Sequence, residues 1–211
     1  MNLRVAAMAV AIAVAVVPAC ATMRPAPSAD TSLAPLVSTT EIPGEFLMQQ
    51  RLRFRWQQRE GQADAVVQMV CGELTVLLLT PFGTPAVVIR QRDRHVEIES
   101  RVPGMWTFPP EYVLRDVQRT YFVPIGDPAL AEGRRQLAYG GESIEEVWAG
   151  GRLLERSFTS EQGGAQTRIV VGYPDGATRS EPPRTATIDA PDRDYHLEVT
   201  TLSRVELSCP H

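Results

Sequence analysis

The sequence predicts a mainly β (α+β) domain: a single antiparallel, strongly curved sheet, or unclosed β-barrel, with a helical lid. Segments of alternating apolar and polar residues recur between residues 50 and 207, and this period of two is typical of half-buried strands. Gly, Pro or short polar turns separate most of these segments, which favours hairpins and antiparallel pairing. One stretch, 107–122, changes to a helical period. About ten strands with a helix after the fifth imply a bent sheet whose mouth the helix covers.

The first predicted strand, 50–58, shows the alternation most clearly. Leu52, Phe54 and Trp56 lie on its apolar face, and arginines occupy the other face. This arginine row is either a solvated face or a contact for lipid head groups. A break at 60–64 and a polar loop at 174–184 are also expected. The remaining predicted strands are 65–71, 73–80, 86–91, 95–101, 143–148, 152–159, 165–173, 185–189 and 195–207.

The stretch 107–122 predicts an amphipathic helix. Thr107 can cap it, and Pro109 and Pro110 suit its first turn. Its apolar residues fall on one face and its polar residues on the other: Val113, Leu114, Val117 and Tyr121 on the first, and Arg115, Asp116, Gln118 and Arg119 on the second. Such a helix must lie on something apolar. A second short helix is expected at 128–138.

The amino terminus has the pattern of an export signal. Arg4 precedes an apolar run from Val5 to Val17, too short to span a bilayer as a helix, so we expect a signal peptide at 1–19. The residues before and at Cys20 resemble the lipobox of bacterial lipoproteins, which implies lipidation of Cys20 and, with Ala21 next, an outer-membrane location facing the periplasm. A plain signal peptide with a chance cysteine is the alternative. Residues 20–44 then form the lipidated cysteine and a flexible linker, and 45–211 form the domain.

Charge and motifs argue against several function classes. The net charge of −4 shows no basic excess, so no nucleic-acid partner is expected. Hydrolase, metalloprotease, P-loop and dinucleotide motifs are absent from the sequence. His95 and His196 stand alone, and the pair Glu145 and Glu146 is interpreted as a charged strand edge. We therefore expect no enzyme, no metal site and no cofactor apart from the covalent lipid on Cys20.

Cys71 and Cys209 form an even pair once Cys20 carries lipid. Both fall at or just past the ends of predicted strands, and an exported protein meets an oxidising compartment. A Cys71–Cys209 disulfide is one possibility, and two buried free thiols are the other, because the sequence alone does not give the separation of their Cα atoms.

The run from Leu79 to Thr84 resembles the loop between two strands in LolB, the family of outer-membrane lipoprotein receptors. The strand around Phe54, the helix after Pro110 and the strand at 169–173 match in order and approximate spacing. The pattern is also similar to a family of small bacterial lipoproteins of unknown function with a LolA/LolB-like fold. The resemblance covers roughly residues 45–208.

The resemblance implies a half-barrel whose apolar concave face accepts lipoprotein acyl chains, delivered by a periplasmic carrier protein. It further implies that Pro81, Phe82 and Gly83 form a membrane- or partner-contacting loop, although Phe82 could instead fold back onto the core. Two interpretations stay open. Either the concave face is an apolar ligand cavity, or it is filled and the protein is a non-catalytic structural lipoprotein of an envelope complex. The expected cavity residues are Leu52, Phe54, Trp56, Val67, Met69, Val76 and Leu78.

Overall fold

The computed structural model describes residues 36–102, 110–125, 132–162, 165–178 and 182–209. The expected signal peptide, Cys20 and the linker as far as residue 35 lie outside these residues, so the predictions made for them stay predictions. Among the described helices, none has the length and apolar content needed to cross a membrane.

Eleven strands form one antiparallel sheet in the order β5-β4-β3-β2-β1-β11-β10-β9-β8-β7-β6. Two meanders therefore meet where β1 pairs with β11, and no pairing among the described strands closes β5 onto β6. The predicted fold class, one open antiparallel sheet with a helix after the fifth strand, is confirmed. The elements are β1 Phe46–Trp56, β2 Arg59–Val70, β3 Glu73–Leu79, β4 Pro85–Arg92, β5 His95–Ser100, α1 Pro110–Tyr121, β6 Gly133–Tyr139, β7 Glu142–Ala149, β8 Arg152–Gln162, β9 Ala165–Ala177, β10 Thr185–Ala190 and β11 Tyr195–Glu206.

Strand β1 shows how the sequence pattern becomes a two-sided sheet. Met48 and Leu52 are buried on the concave side, whereas Arg51, Arg53 and Arg55 are exposed on the convex side. Arg51 contacts the Asp64 carboxylate of β2 at 3.0 Å, an exposed pair that contributes little to stability. The predicted alternation of this strand is confirmed, and its apolar face begins the core.

Three local predictions are wrong because strand pairing overrides local sequence signals. The helix expected at 128–138 is, where the structure describes it, strand β6, which pairs with β7 along its length. The break expected at 60–64 lies inside β2, where Gly61 sits beneath the Phe54 ring of β1. The loop expected from residue 174 begins later, since β9 continues to Ala177.

The core fills the concave side of the sheet. Fully buried side chains from both meanders contribute to it, including Leu78 of β3 and Phe158 of β8, and helix α1 adds Leu114. Because α1 lies across this concave side, its contacts with the sheet define the candidate site.

Candidate functional site: the concave face beneath helix α1

The space directly between helix α1 and the concave face is narrow and apolar. Its volume is about 20 Å³, roughly the room that one water molecule needs. The helix contributes Val113, Val117 and Tyr121 to its lining, and the sheet contributes aliphatic residues from both meanders. In this structure the helix therefore packs directly on the sheet.

Four of the seven expected cavity residues line this narrow space: Leu52, Val67, Val76 and Leu78. The other three lie elsewhere on the same side of the sheet. Trp56 lines a pocket at one end of the helix, Phe54 packs against the core beside Gly61, and Met69 is buried in the core. The sequence thus placed these side chains on one face, and the structure divides that face into separate compartments.

Two larger pockets open at the two ends of α1. The first, of about 330 Å³, lies beside the amino-terminal half of the helix between Trp56 and Tyr195, and the Arg193 guanidinium stands 4.3 Å from the centre of the Tyr112 ring there. The second, of about 570 Å³, lies at the carboxyl-terminal end and includes Phe46 and Phe122. Both volumes fall in or near the range of small-molecule sites.

The two pockets adjoin the narrow space through shared helix residues. Asp116 lines both the first pocket and the narrow space, whereas Thr120 and Tyr121 line both the second pocket and the narrow space. Three adjoining spaces therefore lie in a row beneath and beside α1, two wide ones at the ends and a narrow one in the middle, and together they are called the compartment.

Polar contacts fix the middle of the helix in place. The Gln118 side chain accepts a hydrogen bond from the backbone N–H of Val37 at 2.9 Å and donates one to Gln91 of β4 at 2.6 Å. Tyr195 of β11 donates to the Asp116 carboxylate at 2.9 Å. These bonds tie the helix to the segment before β1 and to both meanders.

Residues on the polar face of α1 are buried as well as those on its apolar face. Asp116, Gln118 and Arg119 are all buried, and Arg119 contacts the Glu142 carboxylate of β7 at 2.7 Å. Burial raises the pKa of Asp116 to about 6, against the opposing effects of Arg119 and the Tyr195 hydroxyl. The amphipathic pattern found the apolar face of α1 but could not reveal that the sheet and the segment before β1 enclose its polar face.

A buried arginine holds the carboxyl-terminal end of the helix. Arg156 of β8 donates to the carbonyl oxygens of Val123 at 2.8 Å and Pro124 at 2.9 Å, just beyond α1. The same guanidinium is paired with the Glu146 carboxylate of β7. A cation at this end of a helix also interacts favourably with the helix dipole.

The interpretation of Glu146 as part of a charged strand edge is wrong. The Glu146 side chain is fully buried, whereas Glu145 is partly exposed and pairs with Arg134. In the sequence, Glu146 alternates with Ile144 and Trp148, which are both buried. The period of two thus carried a signal that Glu146 points inward, and its charge obscured that signal.

The Pro81–Gly83 loop projects from the end of the β3–β4 hairpin. All three of its residues are exposed, and Phe82 has 92% of its surface accessible. The alternative in which Phe82 folds back onto the core is therefore wrong. Thr80 stabilises the loop, because its hydroxyl accepts hydrogen bonds from the backbone N–H groups of Phe82 and Thr84 at 3.3 and 3.2 Å.

Cys71 and Cys209 form a disulfide, with Cα atoms 5.3 Å apart. It joins the β2–β3 turn to the segment after β11, so the alternative of two free thiols does not hold in this structure. Glu45 lies near both sulfur atoms, and within the described residues these three side chains form a group of possible metal ligands. Since the two sulfur atoms are bonded to each other, they are not available as thiolate ligands.

Comparison with known proteins gives one family match. A family model described as "Protein of unknown function (DUF3261)" matches residues 47–203. No curated protein sequence matches the chain.

Among solved structures, the chain is similar to a LolA superfamily protein from Nitrosomonas europaea, with 10% identity, a TM-score of 0.46, and coverage of 82% of this chain and 91% of that one. It is also similar to a putative outer membrane lipoprotein-sorting protein domain from Vibrio parahaemolyticus, with 10% identity, a TM-score of 0.45, and coverage of 77% and 85%. A DUF1329 family protein from Desulfovibrio piger matches with 7% identity, a TM-score of 0.42, and the same coverage of 77% and 85%.

Proposed function

The chain belongs to the DUF3261 family of proteins of unknown function, and from this premise we propose that it is an outer-membrane lipoprotein that binds acyl chains of lipids or lipoproteins beneath helix α1. The observation that carries the proposal is the compartment under the helix: a narrow apolar middle, with pockets of about 330 and 570 Å³ at its ends that have both apolar and polar lining residues. An acyl chain would bind by burial of apolar surface, with no covalent step and no enzyme activity.

Binding along the whole compartment requires the helix to move away from the sheet. The narrow middle, at about 20 Å³, admits no acyl chain while α1 stays in place. The helix is held by a small number of polar contacts, chiefly those of Gln118, Asp116 and Arg156. Ligand binding would therefore exchange these contacts and the direct packing of α1 for contacts with the acyl chain.

The location and partners in this proposal come from the sequence and the exposed loop. Lipid on Cys20 would anchor the protein to the outer membrane, facing the periplasm, and residues 20–44 would act as a tether. A periplasmic carrier protein would deliver cargo. Phe82, at the tip of the Pro81–Gly83 loop, would then contact the membrane or the carrier, since an exposed aromatic side chain favours such an interface.

The test of acyl binding uses the full-length protein extracted from cells in a mild detergent. Native mass spectrometry is expected to show a lipid-sized mass beyond the covalent lipid, and a fluorescent fatty acyl probe is expected to bind with about 1:1 stoichiometry. A protein that carries no lipid and takes up no probe would contradict the proposal. Cys20→Ser provides the control for anchoring: it is expected to lose the covalent lipid and outer-membrane fractionation while the fold persists.

The loop is tested separately from the compartment. Phe82→Glu is expected to bind the acyl probe normally but to transfer it to outer-membrane-like vesicles more slowly. Val205→Glu is the matched control, because Val205 is also an exposed apolar residue, with 54% of its surface accessible, and lies at the opposite end of the strands. If both variants transfer the probe as the unaltered protein does, the role of the loop should be abandoned.

A second candidate function has an observation in its favour. The narrow middle of the compartment is filled, which fits a non-catalytic structural or assembly lipoprotein of an envelope complex. In that case α1 stays on the sheet permanently. A probe that binds nowhere, together with complete protection of the α1 amide hydrogens from exchange up to the free energy of global unfolding, would support this function over acyl binding.

A further inference from the structure

Four buried polar atoms without a hydrogen-bond partner lie within and beside the compartment under α1. Among the described residues, the buried side-chain atoms that lack a partner are Gln50 Nε2, Thr120 Oγ1, Tyr121 OH and Thr201 Oγ1. Each such atom destabilises the folded protein when it stays unpaired, because burial removes its hydrogen bond to water and nothing replaces it. Native proteins contain few of these atoms, so four of them around one site call for a physical explanation.

The four atoms come from the two central strands of the sheet and from the helix that faces them. Gln50 of β1 is paired directly with Thr201 of β11, next to the β-bulge in that ladder. Thr120 and Tyr121 come from the last turn of α1. Gln50 is in phase with the buried Met48 and Leu52, and Thr201 follows the same alternation as Leu197 and Val199. The regular period of two therefore places both polar side chains on the concave face beneath the helix.

The Tyr121 hydroxyl stays protonated in this position. Burial raises its pKa to about 12, and the polar atoms of Thr201 and Gln50, which lie close enough to the hydroxyl to interact with it although not in good hydrogen-bond geometry, oppose that effect only in part. The Tyr121 hydroxyl is thus a hydrogen-bond donor throughout the physiological pH range. Gln50 Nε2 can only donate, and each of the three hydroxyls can donate as well as accept. An acceptor oxygen is therefore the group that could satisfy all four atoms at once.

The charges nearby favour a neutral acceptor over an anion. The described residues lining the narrow space include the Asp116 carboxyl and no arginine. A carboxylate placed there would be buried near the Asp116 carboxyl, and the cation beside Asp116, Arg119, is already paired with Asp116 at 3.6 Å and with Glu142 at 2.7 Å. Burying a further negative charge there is costly. A neutral ester or amide carbonyl carries an acceptor oxygen without that cost.

We propose that Gln50, Thr120, Tyr121 and Thr201 form a binding site for the neutral carbonyl oxygen of an ester- or amide-linked acyl chain. This inference rests on the proposed function and adds a chemical selection to it. Apolar burial along the compartment would hold the hydrocarbon, and the four donors would fix the position of the carbonyl group. The site would then prefer acyl groups attached to a lipid or lipoprotein over free fatty acids.

The experiment compares probes that differ only at the polar end. Full-length protein in mild detergent is titrated with methyl palmitate, heptadecane or palmitic acid at neutral pH, and the loaded fraction is measured by native mass spectrometry. The unaltered protein is expected to bind methyl palmitate most tightly. Tyr121→Phe and Thr201→Val each remove one hydroxyl at nearly constant shape. Both are expected to weaken the affinity for methyl palmitate by about 3- to 10-fold and the affinity for heptadecane by less than about 2-fold.

Matched controls separate this site from general damage. Thr200→Val alters the neighbouring threonine of β11, which pairs with Arg51 on the convex side. This variant is expected to bind both probes as the unaltered protein does. Both site variants should fold, because they remove unpaired polar atoms. If the variants leave the ratio of methyl palmitate to heptadecane binding unchanged, the cluster holds only water and the carbonyl site is wrong. Tighter binding of palmitic acid than of its ester would overturn it too. If neither the ester nor the hydrocarbon binds the unaltered protein, the proposed function fails, and this inference with it.

Discussion

Arg156 and Glu146 form an ion pair in which both side chains are almost completely buried, with Arg156 Nη2 2.7 Å from Glu146 Oε1. The Trp148 indole N–H donates to the other carboxylate oxygen at 3.0 Å, and the guanidinium also binds two carbonyl oxygens beyond α1. The ion pair joins β7 to β8, and the two carbonyl contacts of Arg156 link these strands to the end of the helix. The pair is therefore one of the polar connections between the second meander and the helix, beside Tyr195–Asp116 and Arg119–Glu142.

Removal of the Glu146 carboxylate is expected to be far more damaging than removal of its neighbour. Glu146→Ala leaves the Arg156 charge buried without its partner, which should lower the free energy of unfolding by about 3–5 kcal/mol. Glu145→Ala removes only a surface pair with Arg134 and should cost less than about 1 kcal/mol. Urea unfolding followed by circular dichroism measures both. Equal effects of the two substitutions would show that the buried pair does not hold the lid region.

The stability of the protein is expected to depend on pH through Asp116. Its pKa is about 6 in the folded protein and 3.8 in the unfolded chain, so the folded state binds the proton more tightly. The resulting stability is fully present below pH 3.8 and is lost as the pH rises through 6, by about 3 kcal/mol in total and about 1 kcal/mol between pH 5 and pH 7. Asp116→Asn should remove this dependence. Urea unfolding of both proteins from pH 5 to pH 8 would contradict the prediction if their difference in unfolding free energy stayed constant.

Loss of the Cys71–Cys209 disulfide is expected to destabilise the domain substantially. The bond spans 138 residues, so it restricts the unfolded chain strongly, and its removal should cost about 2–5 kcal/mol. The double variant Cys71→Ser, Cys209→Ser tests this by thermal unfolding beside the unaltered protein with and without reductant. Reduction of the unaltered protein should reproduce the effect of the variant. A reductant that shifts the double variant equally would point to a different cause.

Truncation to alanine is expected to have very different effects on stability at Phe82 and at Phe46. Phe82→Ala should change the free energy of unfolding by less than about 0.5 kcal/mol, because 92% of its surface is exposed. Phe46→Ala removes a ring that is only 1% exposed and should cost about 3–5 kcal/mol. Chemical denaturation compares them directly. A large loss of stability in Phe82→Ala would mean that the loop packs on the domain.

The fold could be predicted from the sequence because its strands are amphipathic and their turns are short. The alternation around Leu52 and the change of period near Val113 were enough to identify an open antiparallel sheet with one helix. Strand β6 was missed because its pattern is ambiguous and its identity depends on pairing with β7. Secondary-structure propensity depends on neighbouring residues, whereas strand pairing depends on a partner strand that the local sequence does not identify.

The candidate site could be predicted only in its apolar part. The alternation around Leu78 indicated an apolar face. The buried partner of Gln118, Gln91, lies 27 residues away in sequence, and that of Arg156, Glu146, lies 10 residues away on another strand. Gln50 and Thr201 meet only because the first and last strands pair. A polar cluster assembled from distant segments leaves no periodic signal in a single sequence.

The pairing of β1 with β11 also governs when the domain can be completed. These two strands form the centre of the sheet, yet they stand at opposite ends of the folded sequence, from Phe46 to Glu206. Until the last strand has emerged, whether from the ribosome or from an export channel, the first meander retains an unpaired edge at β1 and the second has no partner to join. A chain truncated before Tyr195 should therefore remain as two separate, aggregation-prone half-sheets. Strand β11 thus joins the two halves and covers the strand edge at which other chains could pair.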